Sequence, residues 1–366
     1  MRQVLETKGC SLAVGELPQG CRQCIEGRKL VLFVSGVCDQ DCFYCTISHG
    51  RWQVDKGFAN ERQINSDADI LEETKTSGAM GAGITGGDPT QRLERVVHYI
   101  KVLKENFGKD FHLHMYTHGI GFTKEKLKMV YDAGLDEIRF HLNKNAVLDA
   151  LAIRKENKRK WKVGMEVPCI PGMQKYLCGL VDFLEQAGAD FINLNEMEFS
   201  ERNDKRMMEQ HGLRQAEGSL TAVEGSYETG QKVLEYARVH AKKLTVHFCT
   251  AGLKMNAQLK NRLINRAQNI RKPFEKITED GFLLKGIIFG QPLGKIAEQL
   301  KNLKISEKEF SVEQKKNRVE ISAELAKKLS KKLKFKIALV QEYPSAEPWD
   351  FEVEPLNYKP DVAKAI

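Results

Sequence analysis

No stretch of this 366-residue chain approaches the roughly eighteen consecutive apolar residues that a membrane-spanning helix needs, so no span is expected. The opening residues Met1-Arg2-Gln3-Val4-Leu5-Glu6 lack an apolar signal region. Nine cysteines without an export signal point to the reducing cytosol, where thiols serve as metal ligands rather than disulfide partners. What is present suits a soluble protein. Apolar residues make up 42% and can build a sizeable core, charged residues make up 29%, and the mean hydropathy is −0.43. The length suggests one main domain with one or two small ones. The net charge is +8, and the basic excess gathers between Lys254 and Lys272 and between Lys301 and Lys336. That excess reads either as a polyanion-attracting face or, preferred here, as a solvated lysine-rich surface.

One further absence organises the chain. In Ser35-Gly36-Val37-Cys38-Asp39-Gln40-Asp41-Cys42-Phe43-Tyr44-Cys45 there are three cysteines and no fourth. The loop follows Leu30-Val31-Leu32-Phe33-Val34, an apolar run of the kind a buried parallel strand shows. Three thiolates on one strand-end loop can hold three irons of a cubane cluster, leaving the fourth iron open, as a catalytic metal requires. The alternatives are unpaired core cysteines or a zinc loop completed by a distant residue.

At these residues, with Tyr44 before the third cysteine, the chain resembles the radical S-adenosylmethionine (SAM) superfamily. Within it the resemblance is to the archaeal group related to pyruvate formate-lyase activating enzymes, and it covers the central two thirds of the chain. It implies a [4Fe–4S] cluster on Cys38, Cys42 and Cys45, and SAM held at the open iron. It also implies reductive cleavage of SAM to a 5′-deoxyadenosyl radical that takes hydrogen from a substrate, fed by a donor such as ferredoxin or flavodoxin. The stretch Thr85-Gly86-Gly87-Asp88-Pro89 resembles the superfamily's Gly-Gly-Glu-Pro segment, whose backbone holds the SAM amino group, with Asp88 in place of the usual Glu. Two glycines let the main chain approach a ligand closely. A turn leading into a helix is the plainer reading.

Apolar strands alternate with amphipathic helices from Leu30 onward, the mark of an α/β fold with parallel strands. Strands are expected at Ala79–Thr85, Phe111–Thr117, Glu137–Leu142, Lys162–Val167 and Asp190–Asn195, with a seventh at Leu244–Cys249. Helices are expected between them, among them a basic one over Ala146–Lys160. These six units predict an open, partial (β/α)6 barrel over 30–250 rather than a closed eight-stranded one. It is preceded by a Cys-containing segment, 1–29, and followed by a small, basic α+β domain, 251–366. The polar stretch 198–225 reads as a lid or insertion. In 1–29, Gly20-Cys21-x-x-Cys24-x-x-Gly27 with Cys10 reads as a second metal site. Zinc, a second iron–sulfur cluster and ordinary thiols all remain open, with Cys169, Cys178 and Cys249 as candidate fourth ligands.

Strand alternation turns polar groups toward the barrel interior: His112, His114, Tyr116 and His118; Arg139 and His141; Glu166; Asn193 and Asn195. That lining reads as a working cavity. The superfamily uses such strand-end groups, which implies SAM contacts for Tyr44, Glu166, Asn193 and Asn195, and cofactor or substrate contacts for His118, Arg139 and His141. The substrate is less determined. RNA modification fits the basic C-terminal part, where the helix 254–267 places Lys260, Arg262 and Arg266 outward. Modification or radical activation of a protein fits the family resemblance. A non-catalytic iron–sulfur electron carrier is the third reading, and it needs neither the Gly-Gly loop nor the polar interior.

Overall fold

The computed structural model describes residues 1–157 and 161–359, so the last three residues of the helix expected over Ala146–Lys160 lie outside the described residues. Two short strands, β1 (Leu5–Glu6) and β2 (Leu12–Val14), and helix α1 (Gln19–Ile25) come first. The apolar run becomes β3 (Lys29–Phe33), and a small hairpin, β4 (Phe58–Ala59) and β5 (Arg62–Gln63), follows the cysteine loop. Helices and strands then alternate: α2 (Asp67–Thr76), β6 (Gly81–Thr85), α3 (Leu93–Phe107), β7 (His112–Thr117), α4 (Lys124–Ala133) and β8 (Glu137–Phe140). The series continues with α5 (Lys144–Glu156), β9 (Lys162–Pro168), α6 (Gln174–Ala187), β10 (Phe191–Asn195), α7 (Ser226–His240) and β11 (Thr245–Cys249).

Local chemistry sets the boundaries. Thr123 caps α4 by accepting from Lys126 N, and Gly134 ends it in the left-handed region. Strand β8 stops at Phe140, two residues short of the expected Leu142, because Leu142 turns left-handed (φ +58°) and Asn143 caps α5 at Ala146 N.

The sheet has eleven strands in the order β1-β2-β11-β10-β9-β8-β7-β6-β3-β4-β5. The strands from β3 to β11 in that order are mutually parallel. Antiparallel β2 pairs with β11 and antiparallel β4 pairs with β3. Both ends of the parallel run are therefore occupied and the barrel stays open, as six strand–helix units and a seventh strand predict. The face under the helices is dry: Leu30, Ile84, Leu113, Ile138, Met165, Leu194 and Phe248 are all fully buried. Chemistry is left to the opposite face and to the loops at the C-terminal strand ends.

By its contacts the chain divides into two units, residues 1–75 with 79–259, and residues 76–78 with 260–366. The first also holds a short helix, α8 (Ala251–Leu253). The second holds α9 (Lys260–Ile270), β12 (Lys276–Ile277), β13 (Leu283–Phe289), α10 (Leu293–Asn302), β14 (Phe310–Glu313), β15 (Arg318–Ile321), α11 (Ala323–Leu329), β16 (Lys336–Glu342) and β17 (Asp350–Pro355). Its antiparallel sheet runs β14-β15-β13-β16-β17, with β12 also on β13. Ile288, Ile296, Leu300, Val319, Ile321 and Ile337 form its core.

This second sheet also buries an ion-pair network. Lys285, 2% exposed, lies 2.6 Å from Glu275 and 2.8 Å from Glu342. Arg318 reaches Glu320 at 2.7 Å, and Glu342 and Asp350 at 2.6 Å. Burial alone would raise the Glu320 carboxyl, but Lys285, Lys272 and Arg318 hold it down at about 2, and Lys285 and Lys316 lower Glu342 against its own burial. A folded-state pKa below the unfolded one stabilises above the unfolded value and is lost as pH falls through the folded one. Between about pH 4.5 and 2 this unit should therefore lose on the order of 3 kcal/mol from Glu320 alone. Hydrogen exchange of the β13–β16 peptides checks this; protection unchanged between pH 5 and pH 2.5 would count against it.

Candidate active site

The cysteine loop leaves the C-terminal end of β3 and is organised by its own backbone. Cys45 N donates to Cys42 O at 3.1 Å, and Gln40 N donates to Cys38 Sγ at 3.4 Å. Gln53 brackets Cys38, donating to its carbonyl at 2.6 Å and accepting from its N–H at 3.3 Å. All three cysteines are half-buried. Burial pushes the Cys38 thiol up to about 11 and raises Cys45 as well. Thiolates in such a setting need a cation to offset their charge, and iron supplies one; the donor set therefore fits a cluster.

The Gly-Gly loop touches the cysteine loop directly. Gly87 N donates to Ser35 O at 2.8 Å, and Asp88 N to Val37 O at 3.0 Å. A Cβ on Gly87 would lie 2.3 Å from Val37 O and 2.7 Å from Gly36 O. The space that strand-end reading reserved for a ligand is filled by backbone at this position. A Gly87→Val substitution should accordingly push the cysteine loop away and lower iron content after anaerobic reconstitution by about tenfold. Wild-type iron with weakened SAM affinity would restore the ligand-contact reading.

Asp88, 1% exposed, is committed to structure: it caps the following turn through Thr90 N (2.8 Å) and ties down the end of β7 through Thr117 Oγ1 (2.9 Å) and His118 N (2.9 Å). Its side chain is not available to a ligand, which leaves only its backbone for that role.

Beside Cys42 opens a cavity of ≈ 630 Å³, lined among others by Gln40, Tyr44, His118, His141, Leu142 and Tyr176. That volume suits a cofactor-sized molecule. Tyr44 Oη lies 2.7 Å from His141 Nε2, and His141 Nδ1 lies 3.1 Å from the Glu166 carbonyl. Only a proton on Nδ1 suits a carbonyl, so Tyr44 donates to Nε2. Burial holds His141 below its ordinary range, hence neutral. The chain of bonds fixes the cysteine loop to the ends of β8 and β9. His118 accepts from Ile120 N at Nδ1 (3.1 Å), which places its proton on Nε2, 2.8 Å from Asp39 and 3.0 Å from Asp88. Cys38, Asp39 and His118 are the one trio of metal-ligand type found among the described residues. The left-handed Leu142 is held from both sides, by His141 N donating to Thr117 O at 2.8 Å and by the Asn143 cap.

Deeper in, the interior is closed. Arg139 Nη1 donates to Glu166 Oε2 at 2.8 Å, and Nε to Glu137 Oε1 at 2.6 Å. Asn193 and Asn195 each donate to Glu166 at 3.0 Å. Against the burial that would raise it, Arg139 and the two amides keep Glu166 ionised. Helix α1 covers this layer: a Cβ on Gly20 would lie 2.6 Å from both Arg139 Nη2 and His114 Nδ1. Two expectations change. Arg139, 3% exposed, is fully engaged by carboxylates and is not available to cofactor or substrate. His112 and His114 belong to the same closed layer, and burial lowers both, His112 to about 2. Of the polar groups expected to line a cavity, the structure brings His118 and His141 to it, together with Tyr44 from the cysteine loop. Glu166, Asn193 and Asn195 form one network beneath their strand ends.

The N-terminal cysteines do not form a compact zinc-type trio in this structure. Cys21 and Cys24 lie on a helix rather than a tight turn, and Cys10 is exposed. Among the described residues no trio of ligand atoms within 4.8 Å includes any of the three. Cys21, pushed up to about 12 by burial, keeps its proton and bonds to Asn193 at 3.6 Å. The outward basic face of 254–267 also changes: Arg266 is 6% exposed and bonds to Thr76 Oγ1 at 3.1 Å, and Lys260 lies 3.5 Å from Asp280. A buried guanidinium cannot grip a phosphate backbone.

The segment 198–225, expected as a lid or insertion, has partners that its own sequence does not reveal. Arg202 and Arg206 converge on Asp41 of the cysteine loop at 2.9 and 2.7 Å. His211 stacks on Phe43 at 3.8 Å, and Asn203 donates to Tyr44 O at 3.2 Å. The insertion clasps the loop that carries the thiols. Two arginines four apart were the available signal, and nothing local names their target.

Comparison with known proteins agrees with this geometry. Residues 32–167 match the radical SAM superfamily, and residues 281–356 match a domain of unknown function, DUF8061. A Methanocaldococcus jannaschii protein, provisionally named a glycyl-radical enzyme activating enzyme, is 39% identical over 306 residues, 81% of this chain and 80% of that protein. Among solved structures, Streptococcus suis SuiB bound to its precursor peptide SuiA aligns with 15% identity and a TM-score of 0.44, covering 69% of this chain and 53% of SuiB. Methylornithine synthase aligns with 11% identity and a TM-score of 0.38, covering 63% of this chain and 75% of the synthase. With its three-cysteine loop, its open parallel sheet and a relative of this identity and coverage, the chain belongs to the radical SAM superfamily, in the archaeal group related to pyruvate formate-lyase activating enzymes, and is an enzyme of [4Fe–4S] cluster and SAM chemistry.

Proposed function

We propose that this enzyme generates a radical on a partner polypeptide. The observation that carries the reading is the 39% identity, over four fifths of both chains, to a protein named as an activator of glycyl-radical enzymes. When bound, the cluster and SAM supply a one-electron cleavage whose product takes a hydrogen atom from the partner. The electron comes from a low-potential donor of the ferredoxin or flavodoxin kind. The chain's own residues hold and brace. Cys38, Cys42 and Cys45 supply the thiolates. The Tyr44–His141 bond fixes their loop against the strand ends. Glu166, ion-paired to Arg139 and bonded by Asn193 and Asn195, braces the strand ends against one another. The 198–225 clasp braces the loop through Asp41, Phe43 and Tyr44.

RNA modification is the weaker reading, because one of its three gripping residues, Arg266, is buried. The experiment uses reduced, anaerobically reconstituted enzyme with SAM, mixed either with a glycyl-radical enzyme encoded in the same genome or with structured RNA. Methionine formation stimulated by the polypeptide, with an organic radical signal on it by electron paramagnetic resonance, is expected. Stimulation by RNA alone would overturn the reading.

A further inference from the structure

Strand β17 ends the second unit's sheet: among the described residues it pairs with β16 and with nothing on its outer side. Edge strands of soluble proteins are normally short, polar or covered, because their unpaired N–H and C=O groups invite another strand. Here the edge carries large apolar side chains instead. Trp349 is 50% exposed, Phe351 55% and Val353 43%.

The apolar groups at the edge are built into a fixed shelf. Phe282 stacks on Phe351 at 4.6 Å, Tyr343 stacks on Trp349 at 5.3 Å, Trp349 meets Phe351 edge-on at 5.8 Å, and Phe282 lies 5.9 Å from Tyr343. Four rings close on one another. The pairing of β16 with β17 shifts register between Gln341↔Glu352 and Glu342↔Asp350, which makes Phe351 the extra residue of a bulge. Bulges re-aim a side chain, and this one turns Phe351 into the ring cluster.

The charge of the edge is opposite to that of the chain. Residues 343–355 contain Glu347, Asp350, Glu352 and Glu354 and no lysine or arginine, in a protein of net charge +8. Asp350 is neutralised by Lys316 at 2.8 Å and Arg318 at 2.6 Å. Glu347, Glu352 and Glu354 remain exposed.

We propose that β17 is a docking edge for an extended, basic segment of a partner polypeptide, which adds as a further strand. Main-chain pairing would supply affinity, the aromatic shelf would take the partner's apolar side chains, and the glutamates would select lysine or arginine between them. A second copy of this chain is disfavoured, since pairing β17 with itself sets glutamates against glutamates. Nucleic acid is disfavoured by the same charges. The inference stands apart from the reading of the catalytic centre, because every residue it uses lies in the second unit. It assigns a binding role to the region that matches a domain of unknown function.

The test uses the full chain and two synthetic peptides, one alternating lysine with valine and one alternating glutamate with valine. Affinity is measured by calorimetry, and the site by hydrogen exchange. The lysine peptide should bind, slow exchange over 350–355 and weaken with salt; the glutamate peptide should bind at least about tenfold more weakly. The double change Glu352→Lys and Glu354→Lys should reverse that preference, and Trp349→Ala should weaken both. The proposal is overturned by equal binding of the two peptides, by no binding of either at millimolar concentration, or by protection elsewhere in the chain. Binding of poly-uridine at this edge, or concentration-dependent dimerisation that protects β17 in the free protein, would overturn it equally.

Discussion

Replacing Cys38, Cys42 and Cys45 together with alanine is expected to reduce bound iron to background and to lower SAM cleavage by more than about 100-fold, beyond the loss typical of changes around a metal site rather than in it. Three thiols share one loop, and each would bind one iron. Among the described residues, the one trio of metal-ligand type here, Cys38 with Asp39 and His118, includes neither Cys42 nor Cys45. The fold should survive: the Gln40 N to Cys38 Sγ bond is lost, but the loop keeps its bonds that do not involve sulfur. Asp41 keeps its two arginines, Tyr44 keeps His141, and Gly87 N keeps Ser35 O. Circular dichroism and the urea midpoint of the metal-free forms should therefore match wild type. A triple variant that still cleaves SAM would remove the basis of the assignment. One that unfolds would show that the thiols act as core groups.

The loop could be read from sequence because its information is local: three spacings and one strand. The parallel strands could be read because apolar runs and turns repeat along the chain. What lay beyond reading was set by neighbours distant in sequence. Gly86 and Gly87 signalled a close approach but not whether a ligand or the Ser35–Val37 backbone makes it. The Gly20-Cys21-x-x-Cys24 text is the same on a metal-binding turn as on a helix whose small face lies against buried polar groups; only the barrel interior decides between them. Alternation along β8 placed Arg139 on the inner face correctly, yet says nothing about depth. Glu137, two residues earlier on that same face, was the overlooked sign that the guanidinium already had a partner. In the second unit, the ion pairs join β13, β15, β16 and β17, whose pairing order no local pattern dictates.

Arg139→Met is expected to destabilise the folded protein by about 3–5 kcal/mol, the range found when one partner of a buried ion pair is removed. Methionine roughly replaces the volume of the arginine stem, so the loss is electrostatic rather than a cavity effect. Glu137, fully buried, would lose its counter-charge, and Glu166 would lose one of its three donors. Cys21, which accepts from Nη2 at 3.4 Å, would lose a tie between α1 and the sheet. Against a total stability of roughly 5–15 kcal/mol, that leaves a marginal fold. Adding Glu137→Gln and Glu166→Gln to Arg139→Met should recover part of the loss, because no uncompensated charge then stays buried. Urea unfolding of the metal-free variants measures both steps. If Arg139→Met were as stable as wild type and lost only SAM affinity, the guanidinium would be a ligand group after all. The closed layer beneath the strand ends would then have to open when the cofactor binds.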